Sequence, residues 1–234
     1  MSDKEFLALI PARLGSKRLA KKNIKNFNGK PLIAWTALAG LKSKYLDEIY
    51  VSTESREIAE IAMEYGASTP FLRDLKLATD DASSVDVALE FIHRMEDLNK
   101  FYKYLVFLQP TSPLRGGQEI DQAIELILQS KVDSLVSVCE LDHPLQWSLK
   151  VDQKSLNFDL LFDETSYHSQ NYENLFRING AIYIVSIKHL KESRSFISLN
   201  NGIAFIMSRY QSIDIDTEFD FKFAETVAKC DLKS

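Results

Sequence analysis

Five of the ten residues from Arg13 to Lys22 are basic, in a chain of 234 residues whose formal charge is −5. The run IPARLGSKRLAKKN begins where the apolar stretch Glu5 to Ile10 meets Pro11, so it occupies the loop after a strand. Open α/β sheets bind their ligands outside the carboxyl ends of strands. Gly15 and Ser16 would let backbone N–H groups approach an anion there, while Arg13, Lys17 and Lys22 neutralise it. A charge run taken alone reads as a solvated loop. Its place after the strand and its embedded glycine favour a polyphosphate site, built on neither the GxxxxGK[ST] nor the GxGxxG pattern.

A second cluster is Ile213-Asp214-Ile215-Asp216-Thr217. In an extended segment Asp214 and Asp216 share one face while the isoleucines point to the core. The carboxylates would repel each other unless a divalent cation offset the charge, and Mg²⁺ commonly takes one or two carboxylates plus phosphate oxygens. The simpler alternative is that Asp216 or Thr217 caps the final helix. A third cluster, Leu108-Gln109-Pro110-Thr-Ser-Pro113-Leu-Arg115, follows another strand, and its prolines would hold the Gln109 amide rigidly against a base or sugar. In the fourth, Arg177-Ile-Asn179-Gly180-Ala181, the glycine permits close backbone approach beside two polar side chains. The four histidines, His93, His143, His168 and His189, lack HExxH spacing, and no GxSxG elbow occurs.

These loops need elements to hold them. Glu5–Ile10, Glu48–Thr53, Lys103–Pro110 and Asp133–Val138 read as strands. Helices are expected from Pro31, over SREIAEIAMEYGA with Gly66 as its stop, over Val85–Leu98, over Gly117–Lys131 and from Thr217 to Lys229. Thr217 and Asp220 form a candidate capping pair. Strand–helix alternation predicts a parallel sheet with helices on both faces. The rhythm breaks over residues 140–176, which are irregular and polar, and returns with GAIYIVS and AFIMS. The expectation is one α/β domain over residues 1–234 with an arm inserted at about 140–176.

Composition narrows the function. Lys and Arg number 28 against 33 Asp and Glu, which argues against nucleic acid as a partner. Cys139 and Cys230 stand far apart without metal-ligand spacing and read as two free thiols. The apolar run near the start, Phe6 to Ile10, is too short for a signal peptide or a spanning helix. A soluble cytoplasmic protein without a membrane partner is expected.

Five motifs, IPARLGSKRLAKKN, LATDDASS (77–84), FLQPTSPLR, FRINGAIYI and SIDIDTEFDF, stand in the order seen in the acylneuraminate cytidylyltransferases, or CMP-sialic acid synthetases. The chain resembles that family from residue 5 to about 228. The resemblance implies a Rossmann-like nucleotidyltransferase fold, a homodimer joined through the arm, and Mg²⁺ as cofactor. The implied reaction joins CTP to a nine-carbon nonulosonic acid, giving the CMP-sugar and pyrophosphate without a covalent enzyme intermediate. Position by position, it implies CTP contacts from Arg13, Gly15, Ser16, Lys17, Lys22, Asn23, Arg73 and Ser84, with Lys22, Arg13 and Asp216 serving catalysis. Gln109, Arg177, Asn179, Tyr183 and Phe196 would face the sugar, and Asp214 and Asp216 would hold the metal.

The chain departs from the family pattern at three places. Ala20 replaces a common proline. Gln146 and Ser169 stand where sialic-acid-specific members carry basic residues, which brings legionaminic or pseudaminic acid into consideration beside N-acylneuraminate. His168 and Arg177 are candidates to replace that charge. The eight-carbon Kdo and a non-catalytic nucleotide-binding protein are the remoter alternatives.

Overall fold

The computed structural model describes residues 4–162 and 174–231. In chain order the strands are β1 (Lys4–Pro11), β2 (Asn26–Phe27), β3 (Lys30–Pro31), β4 (Ile49–Ser52), β5 (Tyr102–Phe107), β6 (Ser134–Glu140), β7 (Leu149–Val151), β8 (Phe158–Leu160), β9 (Phe176–Ser186) and β10 (Gly202–Ile206). The helices are α1 (Leu32–Leu41), α2 (Arg56–Glu64), α3 (Ser84–Asp97), α4 (Gly117–Ser130), α5 (Ile187–Ser193) and α6 (Glu218–Asp231).

Six strands form the main sheet in the order β10-β6-β9-β5-β1-β4. The strand β1 is apolar without alternation because both its faces are covered. Its even residues Phe6, Ala8 and Ile10 join the core with Ile33 of α1, Ile58 of α2 and Ile124 of α4. Its odd residues Leu7 and Leu9 join the opposite core with Phe91 and Met95 of α3 and Leu190 of α5. Helices therefore cover both faces, as the alternation predicts.

Parallel pairing holds for β1 with β4 and β5, and for β6 with β10. The exception is β9, which runs antiparallel between β5 and β6. The connection explains this reversal. The strand β6 ends at Glu140, the arm leaves the sheet there, and the chain re-enters at Phe176 opposite Glu140, so it must run back. The pairing slips between Val136 and Val138, where Val136 faces Tyr183 and Val138 faces Ile178.

Two local features depart from the expectation, while the free cysteines and the Gly66 stop agree with it. The segment read as irregular contains a 3-10 turn at Leu145–Trp147 and the antiparallel hairpin β7–β8. The short helix α5 has little periodicity to announce it and is capped by Ser186, whose hydroxyl accepts from His189 N at 3.2 Å. Cys139 is buried and Cys230 exposed, and both are free. Gly66, at φ +85°, ends α2 as expected of a left-handed cap position. Among the described residues no helix is long and apolar enough to cross a membrane.

Candidate active site

The basic loop leaves the carboxyl end of β1 and folds back on itself. Asn23 Nδ2 donates to the Arg13 carbonyl at 2.8 Å, and Leu14 N donates to Glu54 Oε1 at 2.8 Å. Lys21 takes a left-handed conformation, φ +50°, and starts the 3-10 turn Lys22–Ile24. This turn directs Lys22 inward, with a side chain only 12% exposed, whereas Arg18 is 68% exposed. A cleft of about 620 Å³ opens beside the loop. The eight positions matched to CTP, together with Gln109, Asp214 and Asp216, all line it. A Cβ built on Gly15 would meet nothing within 4 Å, so the missing side chain leaves the cleft open at that point.

Two carboxylates each hold two of the loop's cations. Asp80, from the segment before α3, meets Arg13 Nη2 at 2.7 Å and Lys17 Nζ at 2.6 Å. Asp216 meets Lys22 Nζ at 3.0 Å and Arg18 Nη2 at 3.0 Å. Lys22 Nζ also donates to the Ile215 carbonyl at 2.7 Å. The alternative of Asp216 as a helix cap is excluded by Asp220, whose carboxylate accepts from Thr217 N at 2.7 Å and Thr217 Oγ1 at 2.8 Å. Thr217 and Asp220 form the expected capping pair, which frees the Asp216 side chain for the cleft.

Asp214 sits deeper. Burial pushes its carboxyl above the ordinary range, opposed by a hydrogen bond with Thr111 and reinforced by the charge of Asp216. Its Oδ1 is buried with no hydrogen-bond partner. An orphaned buried carboxylate oxygen beside a second carboxylate fits a divalent cation that draws its remaining ligands from water and phosphate. Among the described residues no group of three or more metal-ligating side chains occurs, so an all-protein cage is not what these acids build.

Arg73 is 6% exposed and works inside the protein. Its Nε donates to Ser52 Oγ at 2.9 Å, Nη1 to the Leu77 carbonyl at 3.2 Å, and Nη2 to the Ser52 carbonyl. It therefore ties the end of β4 to the segment that carries Asp80. Ser84 is the first residue of α3, behind the Ser83 cap.

The positions matched to the sugar divide. The Gln109 side chain reaches over Gly180, where an added Cβ would meet Gln109 Oε1 at 2.7 Å. Tyr183 packs its ring 5.5 Å from that of Phe196 and is held up in pKa by burial and by the charge of Asp214. Phe196 also packs on Phe107, with ring centroids 4.8 Å apart. Arg177 is exposed at the root of the arm. His168 and Ser169 lie outside the described residues.

Asn179 is a correction. It is 2% exposed and lies off the cleft as a hub inside the sheet. Its Oδ1 accepts from Ser137 Oγ at 2.5 Å and Ala181 N at 3.1 Å, while Nδ2 donates to Ser212 Oγ at 2.8 Å and to Met207 Sδ at 3.4 Å. These bonds pin the slipped register of β9 to β6 and to the loop that leads into Asp214. A buried amide with its partners supplied internally has no bond to spare for a ligand.

Asp80 and Arg115 hold the site together through partners that no local sequence pattern marks. Asp80 lies within LATDDASS, but nothing local announces its pairing with Arg13 and Lys17. Arg115, 1% exposed, donates through Nη1 to the Ala181 carbonyl at 2.8 Å and the Gln109 carbonyl at 3.3 Å. Burial lowers its pKa to about 9. It locks the Gln109 loop to β9 from below.

A cleft rimmed by four loop cations and closed by two acids suits a polyanion carrying a cation. A family model described as cytidylyltransferase matches residues 7–218. The chain belongs to the cytidylyltransferase family. Among curated relatives of this cytidylyltransferase, a CMP-N,N'-diacetyllegionaminic acid synthase from Legionella pneumophila is 39% identical over 221 residues, 94% of either chain. A pseudaminic acid cytidylyltransferase from Campylobacter jejuni is 35% identical over 230 residues, 97% of this chain and 98% of the relative. An N-acylneuraminate cytidylyltransferase from Escherichia coli is 35% identical over 226 residues, 95% of this chain and 52% of that one. A solved CMP:2-keto-3-deoxy-manno-octonic acid synthetase complexed with CTP superposes with a TM-score of 0.73 over 97% of this chain and 99% of its own, at 16% identity. That likeness bears out the nucleotidyltransferase fold.

Proposed function

We propose that this cytidylyltransferase couples CTP to a nine-carbon nonulosonic acid, releasing pyrophosphate and the CMP-sugar. The observation that carries this reading is the convergence of Arg13, Lys17 and Lys22 with Asp214 and Asp216 on one cleft. Relatives named for legionaminic, pseudaminic and N-acylneuraminic acids supply the acceptor class. Within it we favour a legionaminic-type acceptor over N-acylneuraminate, because Gln146 and Ser169 are uncharged where the resemblance to sialic-acid-specific members implies cations, and the relative named for legionaminic acid is 39% identical over 94% of this chain.

In this mechanism the anomeric oxygen attacks the α-phosphorus, the bond to the β-phosphate oxygen breaks, and pyrophosphate departs with the electron pair. The anomeric proton passes to the Asp216 carboxylate. Lys22, fixed by the Ile215 carbonyl, turns its charge from Asp216 to the α-phosphate as negative charge builds there. Arg13 and Lys17 hold the outer phosphates. Asp214 and Asp216 would hold Mg²⁺, which supplies charge neutralisation to the triphosphate. Gln109 orients the sugar, and catalysis is positioning plus charge.

The arm supports a homodimer. Leu149, Val151, Phe158 and Leu160, the apolar residues of β7 and β8, are all exposed by 47% or more. A two-stranded hairpin is marginal on its own in water, and an apolar surface of this kind is a docking face. A second copy of the chain would cover it. Use of CTP as a substrate supports a cytoplasmic setting.

Pyrophosphate release from CTP and Mg²⁺ tests the reading, with legionaminic, pseudaminic, N-acetylneuraminic and Kdo acceptors in parallel. Turnover with a nine-carbon acid, fastest with the legionaminic type, is the expected result. Faster turnover with Kdo, or none with any acceptor, overturns it.

A further inference from the structure

Asp80 stands at the apex of a short bridge between two fixed points. On one side Arg73 clamps the Leu77 carbonyl at 3.2 Å. On the other, Ser83 caps α3 by accepting from Val85 N at 3.1 Å. Between them Thr79, Asp80 and Asp81 are exposed. Asp80 nevertheless reaches both Arg13 and Lys17, and these cations hold its carboxyl below the ordinary range, so it is charged throughout neutral pH. A second cavity, of about 510 Å³, lies between residues 13–17 and Ala78–Asp81. That space admits a ligand between the two segments, and Asp80, itself exposed, can turn from the cations to solvent without disturbing either anchor.

We infer that Asp80 is an internal anion that occupies the outer-phosphate cations until the triphosphate displaces it, and that returns to them as pyrophosphate leaves. The inference rests on the proposed role of Arg13 and Lys17 in holding phosphates. A carboxylate and a phosphate oxygen compete for the same N–H donors of the guanidinium and ammonium groups. Apparent affinity for any ligand that needs both cations is reduced by the fraction of molecules in which Asp80 holds them. A ligand that touches neither cation is unaffected. The effect weakens CTP and pyrophosphate by the same factor, and the chemistry gains because the product departs faster than bare cations would allow.

The test is isothermal titration of Asp80→Asn, Asp80→Glu, Lys17→Met and the parent protein with CTP, pyrophosphate and cytidine at low and high salt. Asp80→Asn binds CTP and pyrophosphate about 3- to 10-fold more tightly, the range expected from losing two partly exposed ion pairs. Cytidine affinity stays the same, Asp80→Glu stays near the parent, and the gain shrinks at high salt. Pyrophosphate becomes a correspondingly stronger product inhibitor in Asp80→Asn. Unchanged or weaker binding by Asp80→Asn, while Lys17→Met weakens CTP, overturns the internal anion and leaves the phosphate role of Lys17 standing. Unchanged CTP binding by Lys17→Met removes that role, and the inference with it. Melting temperatures confirm that each variant is folded, since Asp80 is exposed and Asp80→Glu restores the charge.

Discussion

Lys22 and Asp216 lie 194 positions apart in the chain and meet at 3.0 Å across the cleft. The same ammonium is anchored to the Ile215 carbonyl at 2.7 Å. One end of the chain therefore supplies a cation whose position is set by the backbone of the other. The neighbouring contacts reinforce this arrangement, because Ile215 N donates to the Thr111 carbonyl at 2.9 Å and Ile215 is buried with Phe27, Leu32 and Phe221. The acids, the Gln109 loop and the basic loop thus share one rigid support.

Lys22→Ala removes the cation from the position where charge develops. Loss of one such electrostatic contact costs about 10²–10³ in turnover. Steady-state kinetics should show that loss in kcat, with circular dichroism confirming that the variant keeps the parent's fold, since the Lys22 side chain is only 12% exposed and its removal also lowers the melting temperature. Turnover within a factor of a few of the parent would remove Lys22 from the mechanism.

Asp214 carries a pH-dependent cost. Its folded pKa is raised, so the stability associated with its protonated form is present below the unfolded value and is lost as pH rises through the folded value. At neutral pH without metal the ionised, part-buried carboxylate destabilises the fold. Asp214→Asn should therefore raise the melting temperature in chelator by about 2–4 °C, roughly 1 kcal/mol for a chain of this size. The advantage should vanish at acid pH, and activity should fall sharply. Equal melting temperatures of variant and parent at neutral pH would contradict this account.

Gly180→Ala tests the seat of Gln109. Gly180 has φ +76°, and its new Cβ would meet Gln109 Oε1 at 2.7 Å. The left-handed backbone costs about 1–2 kcal/mol for a residue with a side chain, and the amide has to swing away. Thermal denaturation should report the loss, and acceptor KM should rise several-fold while CTP affinity holds. A rise confined to CTP would place Gln109 on the nucleotide instead.

Charges on the arm should dissociate the proposed dimer. Phe158→Asp combined with Leu160→Asp puts two acids on a hairpin whose residues are exposed in the single chain by 63% and 47%. Sedimentation should show a dimer for the parent and a monomer for the variant, with an unchanged circular dichroism spectrum. A monomeric parent would leave the arm's apolar surface to another partner.

The parts of the site legible in the sequence were those written in local pattern. The continuous apolar run of β1 signals a strand buried on both faces, and the basic loop follows from its position after that run. Alternation of isoleucine with Asp214 and Asp216 places both acids on one face, and their distance from Lys22 in sequence does not matter to that inference. What escaped depended on partners far away. The direction of β9 is set by where the arm leaves β6, which no period within NGAIYIVS encodes. Asn179 has a residue type suited to a sugar, but Ser137 and Ser212, distant in sequence, take its amide. Asp80 lies more than sixty positions from both its cations, and its charge alone does not choose between solvent and cleft.

The pairing of Glu140 with Phe176 has an evolutionary consequence. The register of β6 against β9 is set by pairs within the two strands, so the hairpin β7–β8 and its connections can change in length and sequence without shifting it. Insertions and substitutions in such an excursion are tolerated far better than in the strands that hold it. The cleft that gathers the basic loop and the two acids can then stay fixed while the excursion is rebuilt, so whatever the excursion docks against is free to change independently of the cleft.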